Sequence, residues 1–442
     1  MTRTSVSTAE RIYRAQRIST TVGRIYLGLR AHRFIERRLK PRDMAQRWHR
    51  FNLSSARSVY SAAVELRGLI LKGCQFVGTR SDLLPREYVE TLSKLQDRVP
   101  PRPFHVVRET VERELACKLD DVFERFSTRP IASASLAQVH DARLRNGERV
   151  AVKVQYPEVA ALVRGDLANL RALFRAVDFL EGEFDLMPLV EELRTYVPRE
   201  LNFVNEGRNA ETVARQFKDR DDVGVPRIHW ELTTRRVLVM DFVEGIKITD
   251  LAALRAADLD PAKVAEVLAR AYCEQILTHG FFHADPHPGN LLVQRTASGG
   301  PRIVFVDFGL AKDLPPRFRE GAVEFASALL KGDADAMGEA LFDLGFETRD
   351  QKAESLREIA SLVLDLSQRY REGVARKERD FVERFGREIP ERVRANPVVR
   401  IPTHLVLLGR VLVLLSGVNR SLETRLDLAP IILPYVMGAR RD

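Results

Sequence analysis

The sequence predicts an α+β protein of two lobes, a small strand-bearing lobe followed by a larger helical one, behind a helical N-terminal extension. Three observations predict it. The chain has 442 residues, too many for one ordinary compact domain. Residues 130–154 alternate in two short runs separated by Asn146-Gly147, a strong hairpin signal. Beyond residue 251 the pattern is helical except for two strands, Leu291–Val293 and Ile303–Val306, joined by Gly299-Gly300-Pro301. This layout suits a nucleotide held in an interlobe cleft.

The elements follow in order. Val22, Ile25, Tyr26 and Leu29 recur at helical spacing among arginines, which predicts a basic amphipathic helix. Such a helix can lie on an anionic membrane or dock on the protein's own body. A cleavable transit peptide has the same composition. From 54 to 125 the pattern is helical, broken at Leu84-Pro85 and at Pro100-Pro101-Arg102-Pro103, with a further helix from Phe104 to Leu119. Residues 158–218 are again helical, and Val237–Met240 reads as a buried strand after the turn-like stretch at Pro226. Ile401–Asn419 is the most apolar stretch, but Arg410 cuts it into halves of nine residues. A bilayer crossing needs roughly 20, so a buried helix is predicted and no transmembrane span. The first thirty residues lack the apolar core of a signal peptide.

Apolar residues make up 45% and charged residues 30%, the balance of a soluble globular protein. Cys74, Cys117 and Cys273 lie far apart, which argues against a disulfide scaffold or a structural zinc site and for a reducing compartment. The net charge is +9, yet residues 1–50 hold thirteen Arg and Lys against three acids. The excess belongs to one arm, and the rest is close to neutral. The arm interleaves few aromatics (Tyr13, Tyr26, Phe34, Trp48) and the body has no matching basic patch, which argues against nucleic acid. An anionic membrane surface engaged through residues 1–50 is the better match.

The strongest chemical signal is His283-Ala284-Asp285-Pro286-His287-Pro288-Gly289-Asn290, followed by a hairpin and then Asp307-Phe308-Gly309. Phosphoryl transfer needs a carboxylate to orient the acceptor hydroxyl and oxygen ligands for Mg²⁺. Asp285 supplies the carboxylate, while Asn290 and Asp307 supply metal ligands; these are the catalytic-loop and Asp-Phe-Gly elements of the protein-kinase fold. A transition-metal site on His-x-Asp-x-His is a rival, but it leaves Asn290 and Asp-Phe-Gly unexplained.

Upstream, Val150, Val152 and Val154 share one face of a strand, and Ala151 and Lys153 share the other. A small residue beside a lysine suits the floor of an adenine pocket, with the ammonium on the α/β-phosphates of ATP. Glu206 and Glu200, on one predicted helix opened by Pro198, offer the lysine a carboxylate partner. No G-x-G-x-x-G covers the phosphates. The equivalent place reads Pro130-Ile131-Ala132-Ser133-Ala134-Ser135-Leu136-Ala137-Gln138, whose alanines and serines resist the φ > 0 conformations open to glycine.

These residues resemble the AarF/UbiB family of atypical kinase-like proteins, associated with isoprenoid (ubiquinone-type) quinone biosynthesis. The alanine-rich loop, the Phe282–Asn290 string, and Arg80-Ser81-Asp82-Leu83-Leu84-Pro85 continuing to Leu95-Gln96-Asp97-Arg98-Val99-Pro100 carry the resemblance. It runs from about 60 to 345. It implies ATP and Mg²⁺ as cofactors, Lys153 as the ATP lysine paired with Glu206, Asp285 as the catalytic aspartate, and Asn290 and Asp307 as metal ligands. Nucleotide-binding positions are then Ala132, Ser133, Ala134, Ser135 and Ala151, with Met240, Asp241 and Val243 at the adenine hinge. The family's Lys-x-Gly-Gln lid motif matches at Lys72 and Gln75, and its Glu-x-Asp element at Glu200 and Asn202.

Two departures stand out. Cys74 occupies the glycine position of the lid motif, and Asn202 replaces the aspartate. The implied organisation is an arm (1–55), a helical lid region (56–125), an N-lobe with a helical insertion (126–244) and a C-lobe (245–442). The implied function is an ATPase or small-molecule/lipid kinase that supports quinone-lipid biosynthesis, cytoplasmic and peripheral on the inner membrane face, with a quinone precursor lipid as a partner. An aminoglycoside-kinase-type phosphotransferase and a non-catalytic ATP-binding scaffold are the alternatives.

Overall fold

The computed structural model describes residues 7–39, 41–77, 84–95, 101–181, 194, 197, 198, 200–350, 352–371, 396, 398–400, 402–424 and 426–438. The chain divides into two compact units, Met1–Arg208 with Pro226–Phe242, and Asn209–Val225 with Val243–Asp442.

The first unit opens with α1 (Thr8–Leu39), α2 (Met44–Leu66), α3 (Gly68–Val77) and α4 (Arg86–Leu92). The stripe of α1 that the sequence marks as apolar faces inward: Ile18 and Thr21 are buried, and Val22, Ile25, Tyr26 and Leu29 half-buried. Arg14 on the same stripe is buried against Asp166 of α6 (Val159–Glu181). The helix therefore docks on its own unit. Its outward face keeps Leu27 and Phe34 exposed. A break the periodicity did not signal separates α2 from α3, where Arg67 and Gly68 take φ of 56° and 54°. Glycine enters the left-handed region without cost, and the turn lets two helical segments fold back on each other.

The small lobe's sheet follows. Its strands β1 (Phe123–Phe126), β2 (Ala132–Ser133), β3 (Ala137–Leu144), β4 (Arg149–Gln155) and β6 (Val237–Asp241) run in the order β1-β3-β4-β6, with β2 on β3, antiparallel throughout. β5 (Val223–Gly224) belongs to the second unit. The β3–β4 hairpin turns through Arg145–Glu148, with Gly147 at φ 88°. Val150, Val152 and Val154 pack with Val237, Val239 and with Val107 and Val111 of α5 (Phe104–Leu115). Fully burying one such valine contributes roughly 1.5–3 kcal/mol. That packing turns Ala151 and Lys153 to the opposite face.

The predicted helix through Glu200 and Glu206 is not continuous. Residues 201 and 202 leave the helical path, and α7 starts at Phe203 (Phe203–Gln216). Asn202 is the cause: its Oδ1 accepts from the Val204 N–H at 3.2 Å, which satisfies a first-turn donor and starts a new helix there.

In the second unit β9 (Leu291–Arg295) and β10 (Pro301–Phe305) form the predicted hairpin, extended to a sheet of order β5-β10-β9-β7 with β7 (Ile246–Lys247). A separate pair joins β8 (Phe281–His283) to β11 (Ala311–Asp313). The chain beyond 251 thus holds more strands than the two expected, since β8, β11 and the paired Glu347–Thr348 and Val398–Arg400 are too short to show a period. The helix Pro261–Cys273 continues as a π-helical turn, Glu274–His279, and ends at Gly280 with φ 65°. The apolar stretch after residue 400 forms the helix Thr403–Ser421. It is only half-buried: Leu407, Val411 and Val418 face inward, while Leu412 and Val413 are exposed. Among the described residues no helix is long and apolar enough to cross a membrane.

Candidate active site

The candidate residues fall into two groups, one in each unit. In the first, Lys153 Nζ donates to Glu206 Oε1 at 2.6 Å. The two side chains are 11% and 4% exposed. The pairing follows from local structure. Strand alternation puts Lys153 opposite the valine face, and Glu206 lies in the first turn of α7. The Phe203 N–H, bonded to the Arg235 carbonyl at 3.1 Å, ties the start of α7 to the edge of β6. The Lys153 ammonium also lies 5.4 Å from the Phe203 ring centre, a cation–π distance. Gly207 follows Glu206 where a Cβ would stand 2.8 Å from the Trp230 ring, so this helix packs closer than a side chain would allow.

Glu200, which precedes the break, has a different partner: its Oε2 lies 2.8 Å from Lys72 Nζ on α3. The two glutamates hold separate lysines, as the resemblance implied. Asn202 holds neither. Gln75 lies on α3, but its side chain lies outside the described residues. Cys74 packs with the cluster of Ala63, Leu71, Leu92 and Leu95, and desolvation pushes its thiol up to about 12. It acts as a small apolar side chain rather than a nucleophile. The motif stretches 80–83 and 96–100 lie outside the described residues.

The alanine-rich loop is a short hairpin. Ala132 and Ser133 pair with Val139 and Gln138, and the Ala134 N–H closes the turn on the Ala137 carbonyl at 2.8 Å. No residue from 130 to 140 takes a positive φ, which is why alanine and serine serve where glycine is common. Ser135 is buried. Tyr156, which the sequence did not mark, lies 3.0 Å from the Ser133 hydroxyl through its own. Met240 pairs with Ala151 across β6 and β4. The Asp241 N–H is bonded to the Arg227 carbonyl, and its carboxylate lies 2.8 Å from His229 Nε2. Val243 follows, at the start of the second unit's longer segment.

In the second unit the strand pairs assemble Asp285, Asn290 and Asp307. β8 and β11 enter and leave together, and the Ala284 N–H bonds the Leu310 carbonyl at 2.9 Å. The β9–β10 register pairs Leu291 with Phe305. It brings the ends of both loops together, and the Val306 N–H bonds the Asn290 carbonyl at 3.1 Å. Asn290 Nδ2 donates to the Asp285 carbonyl at 3.1 Å. The Gly309 N–H donates to Asp307 Oδ1 at 3.0 Å, and Asn209 Nδ2 holds the Phe308 carbonyl at 3.0 Å. Phe308 itself is buried against the His283 ring.

His283 is not free for a transition metal. Its Nε2 faces the Asp307 carbonyl and so carries the proton, and Nδ1 accepts from Tyr272 at 3.1 Å. Burial, with the nearby Asp285 charge, pushes the Tyr272 phenol well above its ordinary value, which keeps it a donor. The Gln275 Oε1 accepts the His283 N–H at 2.8 Å. His287 Nδ1 accepts from the Gly289 N–H. The histidines of the octet are structural pins. Tyr272 and Gln275 escaped the sequence reading, and only the fold places them, on the helix and π-turn that deliver β8.

Comparison with known proteins meets this geometry. The ABC1 atypical kinase-like domain matches residues 94–341. The chain belongs to the ABC1/AarF family. Among its ABC1/AarF relatives, it is 35% identical over 398 residues to Protein ACTIVITY OF BC1 COMPLEX KINASE 8, chloroplastic, of Arabidopsis thaliana, covering 84% of this chain and 52% of that one. It is 40% identical over 296 residues to AarF domain-containing protein kinase 1 of Mus musculus, covering 67% and 56%. The chain thus spans about half the length of these curated relatives. The solved complex of Rv3197 with erythromycin from Mycobacterium tuberculosis superposes with a TM-score of 0.60 at 22% identity, covering 86% of this chain and 94% of that one. That likeness shows the fold: this ABC1/AarF chain has the bilobal α+β architecture of kinase-like proteins.

Proposed function

We propose that this ABC1/AarF chain binds Mg-ATP and transfers or hydrolyses its γ-phosphoryl group. The observation that carries the reading is the buried Lys153–Glu206 pair at 2.6 Å. An ion pair buried on one strand face is costly to desolvate, and its use here is to hold an ammonium for the α/β-phosphates. The donor set suits Mg²⁺. Asn290 spends its amide nitrogen on the Asp285 carbonyl, which leaves its amide oxygen as a hard acceptor, with the Asp307 carboxylate as the second protein ligand. When bound, the ion would neutralise charge on the phosphates. Asp285 orients the acceptor hydroxyl or water, and Tyr272 and His283 hold its loop in place. Met240, Asp241 and Val243 are the adenine hinge in this reading, and Ala132–Ser135 cover the phosphates.

Family membership supports a kinase-like activity. The resemblance to the quinone-associated AarF/UbiB proteins supports a finer one: an ATPase or small-molecule/lipid kinase that serves isoprenoid quinone biosynthesis at an anionic membrane surface. The Lys72–Glu200 contact is the lid that limits access of protein substrates. The test is Mg-ATP turnover by the purified chain, with and without anionic liposomes and a phenolic quinone precursor. Stimulation by both, lost in Lys153→Met, supports the reading. Nucleotide binding without turnover under any condition favours a scaffold.

A further inference from the structure

Four guanidinium groups line one groove of about 520 Å³ between α1 and α2: Arg17 and Arg24 from one helix, Arg50 and Arg57 from the other. On each helix the two arginines are two turns apart and so share a face. Among the described residues no carboxylate lines the groove; its remaining polar walls are hydroxyls such as Thr20, Ser54 and Ser58. Glu65 partly balances Arg17 at 2.9 Å and Asp43 lies 3.9 Å from Arg50. Among the described residues no acid pairs with Arg24 or Arg57, both exposed. Like charges gathered this closely repel, and an anion between them reverses the sign of the interaction.

We infer that this groove is a binding site for a phosphate-bearing anion, gripped by the guanidinium forks from both helices. Arginine matches phosphate oxygens bidentately; the Thr20 and Ser58 hydroxyls already donate to the Arg17 and Ser54 carbonyls, so the guanidinium groups supply the grip. The site lies in the first unit and uses none of the residues assigned to ATP. Three of its arginines, Arg17, Arg24 and Arg50, belong to the basic arm of residues 1–50, so a lipid headgroup there rests on the membrane reading, whereas pyrophosphate binding does not.

Two probes separate a soluble phosphate from a lipid headgroup: calorimetric titration of the full chain with inorganic pyrophosphate, and co-sedimentation with phosphatidylcholine vesicles containing phosphatidic acid. Binding to either probe is expected to weaken at least about tenfold in Arg24→Gln/Arg57→Gln. Arg37→Gln/Arg38→Gln removes the same charge from the end of α1 and is expected to change it less than about twofold. Ser54→Glu, which puts a carboxylate in the groove, keeps the test independent of the fold of the double variant and weakens binding likewise. Equal losses in the two double variants, full binding by Ser54→Glu, or no binding of either probe by the unmutated chain overturns the proposal.

Discussion

Arg14 and Asp166 form a buried ion pair across 152 positions, with Arg14 Nε donating to Asp166 Oδ1 at 2.9 Å. The same guanidinium donates to the Leu66 carbonyl, one residue before the Arg67-Gly68 turn. One side chain thus ties α1 to α6 and to the junction between α2 and the helix α3 that carries Lys72.

Removing one partner of such a pair strands the other. Asp166→Ala is expected to destabilise the chain by about 3–5 kcal/mol, read as a fall in the denaturant midpoint with unchanged slope. Arg14→Met/Asp166→Leu is expected to recover most of it, because no charge stays buried. A loss below about 1 kcal/mol in the single variant contradicts the role of this pair.

His140 sets a pH dependence. Its ring is fully buried, with Nδ1 donating to the Ser127 carbonyl at 2.7 Å and Nε2 accepting from Gln138 at 2.9 Å. Burial pulls its pKa below the ordinary value, against the Ser127 bond. The unfolded chain therefore takes up the proton first as pH falls. Stability is present above about 6.5 and lost as pH drops through the lower folded value. Chemical denaturation between pH 7.5 and 5.5 is expected to show this loss, and His140→Gln to flatten it. An unchanged profile in the variant excludes His140 as the group responsible.

Gly207 tests how tightly α7 is held. Alanine gains about 1 kcal/mol of helix propensity over glycine, but its Cβ would meet the Trp230 ring at 2.8 Å and Ile228 Cγ2 at 3.4 Å. Overpacking costs about 1–3 kcal/mol, so Gly207→Ala is expected to be net destabilising. It is expected to weaken ATP affinity as well, because Glu206 shifts with the helix. A stabilised variant with unchanged nucleotide affinity contradicts this.

Lys72–Glu200 is a partly exposed pair, 27% and 11%, and its contribution to stability is small. Lys72→Ala is expected to move the melting temperature by less than about 3 °C and to raise access to the nucleotide, read as a faster ATP on-rate. A slower on-rate with intact folding removes this contact from the lid.

The site was legible where chemistry and period coincide. Lys153 sits on a seven-residue strand of alternating valines, and Asp285, Asn290 and Asp307 keep a fixed order around a hairpin. The sheet of the first unit was legible in part: β3, β4 and β6 were, while β1, four residues long, carried no signal. The division of labour between Glu200 and Glu206 followed from the resemblance, but the helix break between them was not legible. It depends on one Asn202 hydrogen bond, and side-chain capping outranks helical periodicity there. Tyr272 and Gln275 were invisible because their role arises from a π-turn, which has no sequence period of its own. The docking of α1 was only half legible: the stripe was clear, but its partner Asp166 is 152 positions away.

The proposed activity rests on Asp285 and Asp307 acting on Mg-ATP. The direct measurement is ATP turnover and ATP binding in parallel for the unmutated chain, Asp285→Asn and Asp307→Asn. Asp285→Asn is expected to bind ATP nearly as before while turnover falls at least about a hundredfold. Asp307→Asn is expected to lose turnover together with the Mg²⁺ dependence of binding. Turnover unchanged in both variants contradicts the roles given to Asp285 and Asp307.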